Sequence, residues 1–331
     1  MLDALYLIWV RKEIMWKACM LGIGIGDAFG FGILGQDRKW IQENVNFTEY
    51  VSMRDDVEPG VYSENTRDTI AIMLHLINNE AQTPETLLNY LDMEYKFDAV
   101  MSNEIYSYDY QSLPHFIDDN PSSIKTTYLD RSSIVRAILL GVLPCDNIDL
   151  SAGINADIIY RNVRNRVANI LIARASEYIL VKQGLQSGVI DYCRNYVYGM
   201  DPETDMYLFN IDRLNNIADI TDVPSSDYCL LVGDQPIQKS VIRKINSDPI
   251  HIAGTALYLL KYCTNAMEAL ERSMLIGGDI SVIGAIVVGI IAGRHGLDGI
   301  PNNLIRQLEG RKRLVDISNI FDKSWQQRVS L

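Results

Sequence analysis

Apolar positions recur with a helical period along most of the chain. Ile70, Met73, Leu74 and Ile77 form one stripe of an amphipathic helix. Val135, Ile138 and Leu139 repeat the pattern in a shorter element that stops before Pro144. It returns at Val167, Ile170, Leu171, Ala175 and Tyr178, and again at Ala256, Leu259, Leu260 and Cys263. Alternation with period two is scarce, and its nearest approach, Tyr106, Tyr108 and Tyr110, is too short for a sheet. Between Val282 and Arg294 the chain is apolar all round, yet it carries Gly284, Gly289 and Gly293. Each costs about 1 kcal/mol in a helix interior. Neighbouring helices packed on the backbone explain that cost, so this segment is predicted to be the central helix of an all-α domain starting near Ser281. Gly22, Gly24, Gly26, Gly30 and Gly32 read the same way. A dinucleotide-binding turn would need a strand before it and a βαβ unit after it, and neither is predicted.

From about residue 187 to 244 the character changes: the segment is acidic, holds Pro202, Pro224 and Pro236, and shows little helical period. It reads as an acidic surface insertion on a single domain spanning 1–331, and long excursions of this kind tend to be functional loops. With 48% hydrophobic and 22% charged residues, the 331-residue chain has globular usage, which excludes disorder. The five cysteines (Cys19, Cys145, Cys193, Cys229, Cys263) are odd in number and widely spaced, so they read as buried hydrophobes in a reducing compartment. The apolar N-terminus carries Arg11, Lys12, Glu13 and Lys17 mid-run, unlike a leader peptide. The most apolar stretch of the chain, Ile283 to Ala292, is ten residues long, half a membrane span. A cytoplasmic protein without a membrane partner is expected. A net charge of −12 argues against nucleic acid.

Three polar clusters stand where the chain enters a helix. The first is Gly26-Asp27-Ala28-Phe29-Gly30, the second Ser63-Glu64-Asn65-Thr66-Arg67-Asp68, and the third Gly277-Gly278-Asp279-Ile280-Ser281. Ser63, Thr66 and Asp279 suit ordinary helix caps. Two oxygen-rich helix starts could also face each other across a cleft, where carboxylates and hydroxyls suit Mg²⁺. His75, His115, His251 and His295 lie far apart without ligand spacing and read as structural. The tyrosines at 106, 108 and 110 read as a loop folded on the core, with stacking on an adenine as the alternative.

In order and spacing, these clusters resemble the ADP-ribosylglycohydrolases. That family shows G-D-A-x-G, then [ST]-D-D-T, then G-G-D-T-D-T-I-G-A-I with a Y-G-L-x-x-I-P tail, kept here as His295-Gly296-Leu297-Asp298-Gly299-Ile300-Pro301. The resemblance runs over roughly residues 14 to 310 and is most specific at the third cluster. It implies a compact orthogonal helical bundle with two Mg²⁺ ions in a cleft, hydrolysing the bond between ADP-ribose and a modified side chain. Carried over by position, Ser63, Glu64, Asn65, Asp279 and Ser281 would be the metal ligands, and Glu64 and Asp279 the catalytic acids if the protein is active. Gly277, Gly278, Ser132 and Arg136 would contact the substrate.

The departures carry as much information. Family carboxylates are replaced at Asn65, Ser281 and Leu34, the family threonine by Val282, and the ribose-contacting G-N-G by Asp130-Arg131-Ser132. Each missing unit charge removes about 4 kcal/mol of attraction at about 4 Å and an effective dielectric near 20. The expectation is an impaired site holding Mg²⁺ weakly, at most one ion, or none. Arg67 is weighed both as a guanidinium in the metal's place and as a solvated side chain. The protein is then expected to be non-catalytic or weakly active, binding ADP-ribose, an ADP-ribosylated protein, or an ADP-ribosyltransferase that it blocks. The alternative is an active ADP-ribosyl hydrolase working with one metal ion or none, with Glu64 or Asp279 activating water.

Overall fold

The computed structural model describes residues 2–78, 80–102, 131–142, 147–158, 161–216, 226–233 and 248–329. Its described residues form fifteen α-helices and no strand. In chain order they are α1 (Leu2–Gly32), α2 (Arg38–Asn44), α3 (Glu64–Asn78), α4 (Pro84–Ser102) and α5 (Ser132–Leu140). Next come α6 (Ile148–Ala156), α7 (Val163–Ser176), α8 (Val189–Val197), α9 (Pro202–Asp212) and α10 (Ser226–Val232). Last are α11 (Pro249–Tyr262), α12 (Ala266–Ile276), α13 (Ile280–His295), α14 (Asn302–Gln307) and α15 (Arg311–Val329). Asp130, Tyr106, Tyr108, Tyr110, His115 and Cys145 lie outside the described residues, as do Pro224 and Pro236.

The pair α1 and α13 forms the axis. Every residue of α13 from Ile280 to Gly293 is buried, as its unbroken apolar sequence requires. A Cβ on Gly26 would stand 2.2 Å from the Gly284 carbonyl oxygen, and one on Gly30 2.6 Å from the Ser281 Cα. Gly289 returns the fit, since a Cβ there would meet Ile23 at 2.4 Å. The glycines that looked costly in isolation therefore form a seam in which two main chains touch, and dispersion along it offsets their lower helix propensity. Around this axis, α15 covers α1 through Trp16, whose ring meets Phe321 edge-on at 4.7 Å and Trp325 at 6.2 Å. Helices α3, α5, α7 and α11 pack in succession on the other side.

Where the segment 187–244 is described, it forms the helices α8, α9 and α10, although its sequence shows little helical period. Val189, Ile190, Cys193 and Val197 of α8 are buried, as are Tyr207, Leu208 and Ile211 of α9 and Leu231 and Val232 of α10. Its acids sit on the outer sides instead: Asp191 and Glu203 are exposed, and Asp205 pairs with Arg194 at 2.7 Å. Pro202 occupies the first turn of α9, where a missing N–H costs nothing, so it starts a helix rather than breaking one. Cys19, Cys193 and Cys263 are buried free thiols, and burial pushes Cys19 and Cys263 up to about 12.

Candidate functional site

The three polar clusters converge. Asp27 lies on α1 one residue after Gly26, so the glycine seam sets its position, and its carboxylate is wholly buried. It accepts five hydrogen bonds. The backbone N–H groups of Ser63 and Thr66 lie at 3.1 Å, their hydroxyls at 2.7 Å, and the Asn65 amide at 3.1 Å. Asp27 thus caps the N-terminus of α3 from a different helix, satisfying donors the helix itself leaves open. Ser63 Oγ accepts from the Asn65 N–H at 3.2 Å, the local capping bond its sequence position suggested. Burial pushes the Asp27 carboxyl above its ordinary range, against the pull of Ser63, Thr66 and Asn65.

From Asn65 the polar contacts run outward. Its amide also donates to Ser281 Oγ at 3.3 Å, and Ser281 Oγ donates to Asp279 Oδ1 at 3.1 Å. The other Asp279 oxygen is paired with the Arg131 guanidinium. Asp279 is 1% exposed, whereas the Arg131 side chain is 35% exposed, so the line ends at the surface. Although Asp279 occupies the N-cap of α13, its side chain makes no capping bond. Arg131 and Ser281 take it instead. Glu64, the first residue of α3, is half-buried within electrostatic reach of Asp27, Asp279 and Arg131. Burial raises its pKa first of all, and the charges of Asp27 and Asp279 add to the rise.

A second carboxylate network anchors this line. Asp68, one turn into α3, accepts from Arg136 Nη1 at 2.7 Å, Ser132 Oγ at 2.5 Å and Tyr95 Oη at 3.0 Å. Arg136 is wholly buried and also donates from Nε to Asn155 Oδ1 at 3.0 Å. Ser132 and Arg136 thus sit beneath the site, fastening the start of α5 and with it the adjacent Arg131. Gly277 and Gly278 form the half-exposed turn between α12 and α13, with φ of +85° and +77° that other residues adopt only under strain.

A family model described as ADP-ribosylglycohydrolase matches residues 15–329. The chain belongs to the ADP-ribosylglycohydrolase family. A solved ADP-ribosylglycohydrolase-related protein complex shares the fold, with a TM-score of 0.63 at 13% identity over 95% of this chain and 99% of its own. No curated protein matches by sequence. The all-α bundle expected from the resemblance is the observed architecture, and no helix among the described residues is long and apolar enough to cross a membrane.

Measured against the Mg²⁺ that an ADP-ribosylglycohydrolase is expected to hold, the donor set fits poorly. Divalent magnesium seeks oxygen ligands carrying negative charge. Here the Asp27 oxygens are taken by five donors, Asn65 turns its NH₂ group toward Asp27 and Ser281, and Asp279 faces a guanidinium. Among the described residues no group of three or more His, Cys, Asp or Glu side chains is placed to hold a metal ion. The cation at Asp279 is Arg131 rather than Arg67, whose guanidinium lies over the Tyr62 ring at 5.7 Å. Leu34, at the position of a family glutamate, packs half-buried against the core. Two residues of this site carried no role in the sequence reading, Asp27 and Arg131.

Proposed function

We propose that this chain is an ADP-ribosylglycohydrolase-fold protein that binds ADP-ribose or an ADP-ribosylated protein without Mg²⁺-dependent hydrolysis. The observation that carries the reading is the Arg131–Asp279 pair, a positive charge from the chain itself on the acid that would otherwise face a metal. A guanidinium supplies positive charge to an anionic ligand without a metal's ability to acidify water. Neutral Asn65 and Ser281 lower the demand for a cation further. The Gly277-Gly278 turn, half-exposed beside Asp279, would receive the ligand, and Ser132 and Arg136 would act through Arg131 rather than by touching it.

One observation favours a second reading. Glu64 is a half-buried carboxylate whose raised pKa moves it toward the working range of a general base, so it could activate water without a metal. One experiment separates the two. Mg²⁺ and ADP-ribose are titrated calorimetrically, and ADP-ribosyl-arginine and ADP-ribosyl-serine substrates are assayed with and without Mg²⁺. The first reading expects ADP-ribose binding that does not depend on Mg²⁺, and no turnover. Turnover unaffected by chelator and lost in Glu64→Gln would establish the second. Brisk Mg²⁺-dependent turnover would overturn both.

A further inference from the structure

His75 is a buried ionisable group with no part in the site above. It lies on α3 beyond Asp68, wholly buried, and among the described residues neither ring nitrogen has a hydrogen-bond partner. Helix α4 covers it. The Tyr90 ring meets the imidazole edge-on, with ring centres 5.2 Å apart. The Tyr90 hydroxyl accepts from the Asn78 amide at 2.6 Å and donates to Glu80 Oε1 at 2.7 Å, which closes the corner between α3 and α4. A neutral imidazole tolerates this enclosure, whereas an imidazolium would bring two N–H donors and a full charge into it.

The charges on the helices packed against α3 are engaged elsewhere. On α4, Glu94 pairs with Arg313 of α15, Asp92 with Lys96, and Tyr95 donates to Asp68. Arg136 of α5 also holds Asp68, and Asp322 of α15 accepts from Gln326. Asp27 of α1 binds the opposite end of α3, and α13 bears Arg294 and His295 in its last turn. Burial holds the His75 imidazole below its ordinary range, with the Glu80 carboxylate pulling the other way.

The corner is also built to move by itself. Ala71, Tyr90 and Leu91 form an apolar cluster separate from the main core. Further along α4, the bonds of Glu94 to Arg313 and of Tyr95 to Asp68 do not involve His75. A segment with its own small cluster can open locally while the core stays closed.

We infer that His75 makes the α3–α4 corner an acid-operated latch, closed while the imidazole is neutral and opening over residues 84–91 when it takes a proton, with α4 still pinned from Glu94 onward. The latch does not depend on what the site binds. An enclosed ring holds its proton less well than an exposed one, so the corner is fully stable above about pH 6.5. That stability is lost as pH falls below this value, by up to about tenfold in the opening equilibrium per pH unit.

Hydrogen exchange read by mass spectrometry, corrected for the intrinsic pH dependence of amide exchange, tests the latch at about pH 7.5 and about pH 5.5. In wild type, protection over residues 84–91 should fall about threefold to tenfold on acidification, while residues 94–97 and α13 keep theirs. His75→Leu and His75→Gln, neutral at both pH values, should each abolish the fall, and either variant suffices if the other does not fold. Tyr90→Phe keeps the ring without the hydroxyl, so it should lower protection equally at both pH values and retain the acid response. Equal wild-type protection of residues 84–91 at both pH values would overturn the latch, as would a loss shared by α13. An acid response that survives in His75→Gln would overturn it too. So would its disappearance in Tyr90→Phe, since the Tyr90–Glu80 bond would then be the sensor.

Discussion

Two buried aspartates are tied to the start of α3, Asp27 directly and Asp279 through Ser281, and they are handled differently. Asp27 is surrounded by five neutral donors from one short stretch, Ser63 to Thr66, and among the described residues no cation pairs with it. Asp279 has one neutral donor, Ser281, and one charged partner that reaches the surface. The first arrangement is closed and local to two helices, so it serves the fold. The second is made by a side chain 148 residues away in sequence, and it opens to solvent, so it is available to change. The two acids therefore divide the site into a fixed half and an exchangeable half.

The division predicts unequal consequences. The largest belongs to the fixed half. Asp27→Ala should cost about 3–5 kcal/mol in urea unfolding, because it strands several buried donors at once, whereas Asp27→Asn should cost about 2 kcal/mol. Equal and small losses would remove the distinction.

On the exchangeable side, Arg131→Ala should destabilise by only about 1–2 kcal/mol, since its guanidinium is partly solvated. The same change should raise Mg²⁺ affinity by calorimetry. Adding Glu64→Asp, Asn65→Asp, Ser281→Asp and Val282→Thr should raise it further by restoring carboxylates. Unchanged affinity in the combined variant would mean that the guanidinium is not what keeps the ion out.

The smallest effect tests Glu64, which stands between the halves. Its folded pKa is raised, so protonation favours the folded state below the ordinary glutamate value. That stability is lost as pH rises through the folded pKa. Glu64→Gln should abolish this slope and raise the melting temperature near pH 7 by about 2 °C. An unaltered pH profile would show that Glu64 is better solvated than its position implies.

The helical frame was readable because its signals are local. The glycines of α1 and α13, the apolar run of α13 and the polar helix starts all declare themselves within a few turns. The site was readable only in part. Asp279 looked like a cap, and its diversion to Arg131 depends on a contact no local pattern encodes. Arg67 shares a sequence cluster with Glu64 and so invites the cationic role, yet the helix carries it over Tyr62 instead. Asp27 sat in a quoted motif without a role, since an acid inside one helix gives no sign that it caps another. Helices α8 and α9 were missed because their acids line the outer face and mask the period of the buried one.

Direct contact between the main chains of Gly26 and Gly284 has a consequence for how such a site can diversify. With no side chain between them, the spacing of the two helices does not depend on the volume of any residue that could be substituted. Asp27 and Ser281 are held as on a jig whose dimensions are set by peptide atoms alone. Acids, amides and guanidinium groups can be exchanged on that jig without shifting the points to which they attach, so the chemistry of the site can be rewritten while its coordinates stay put.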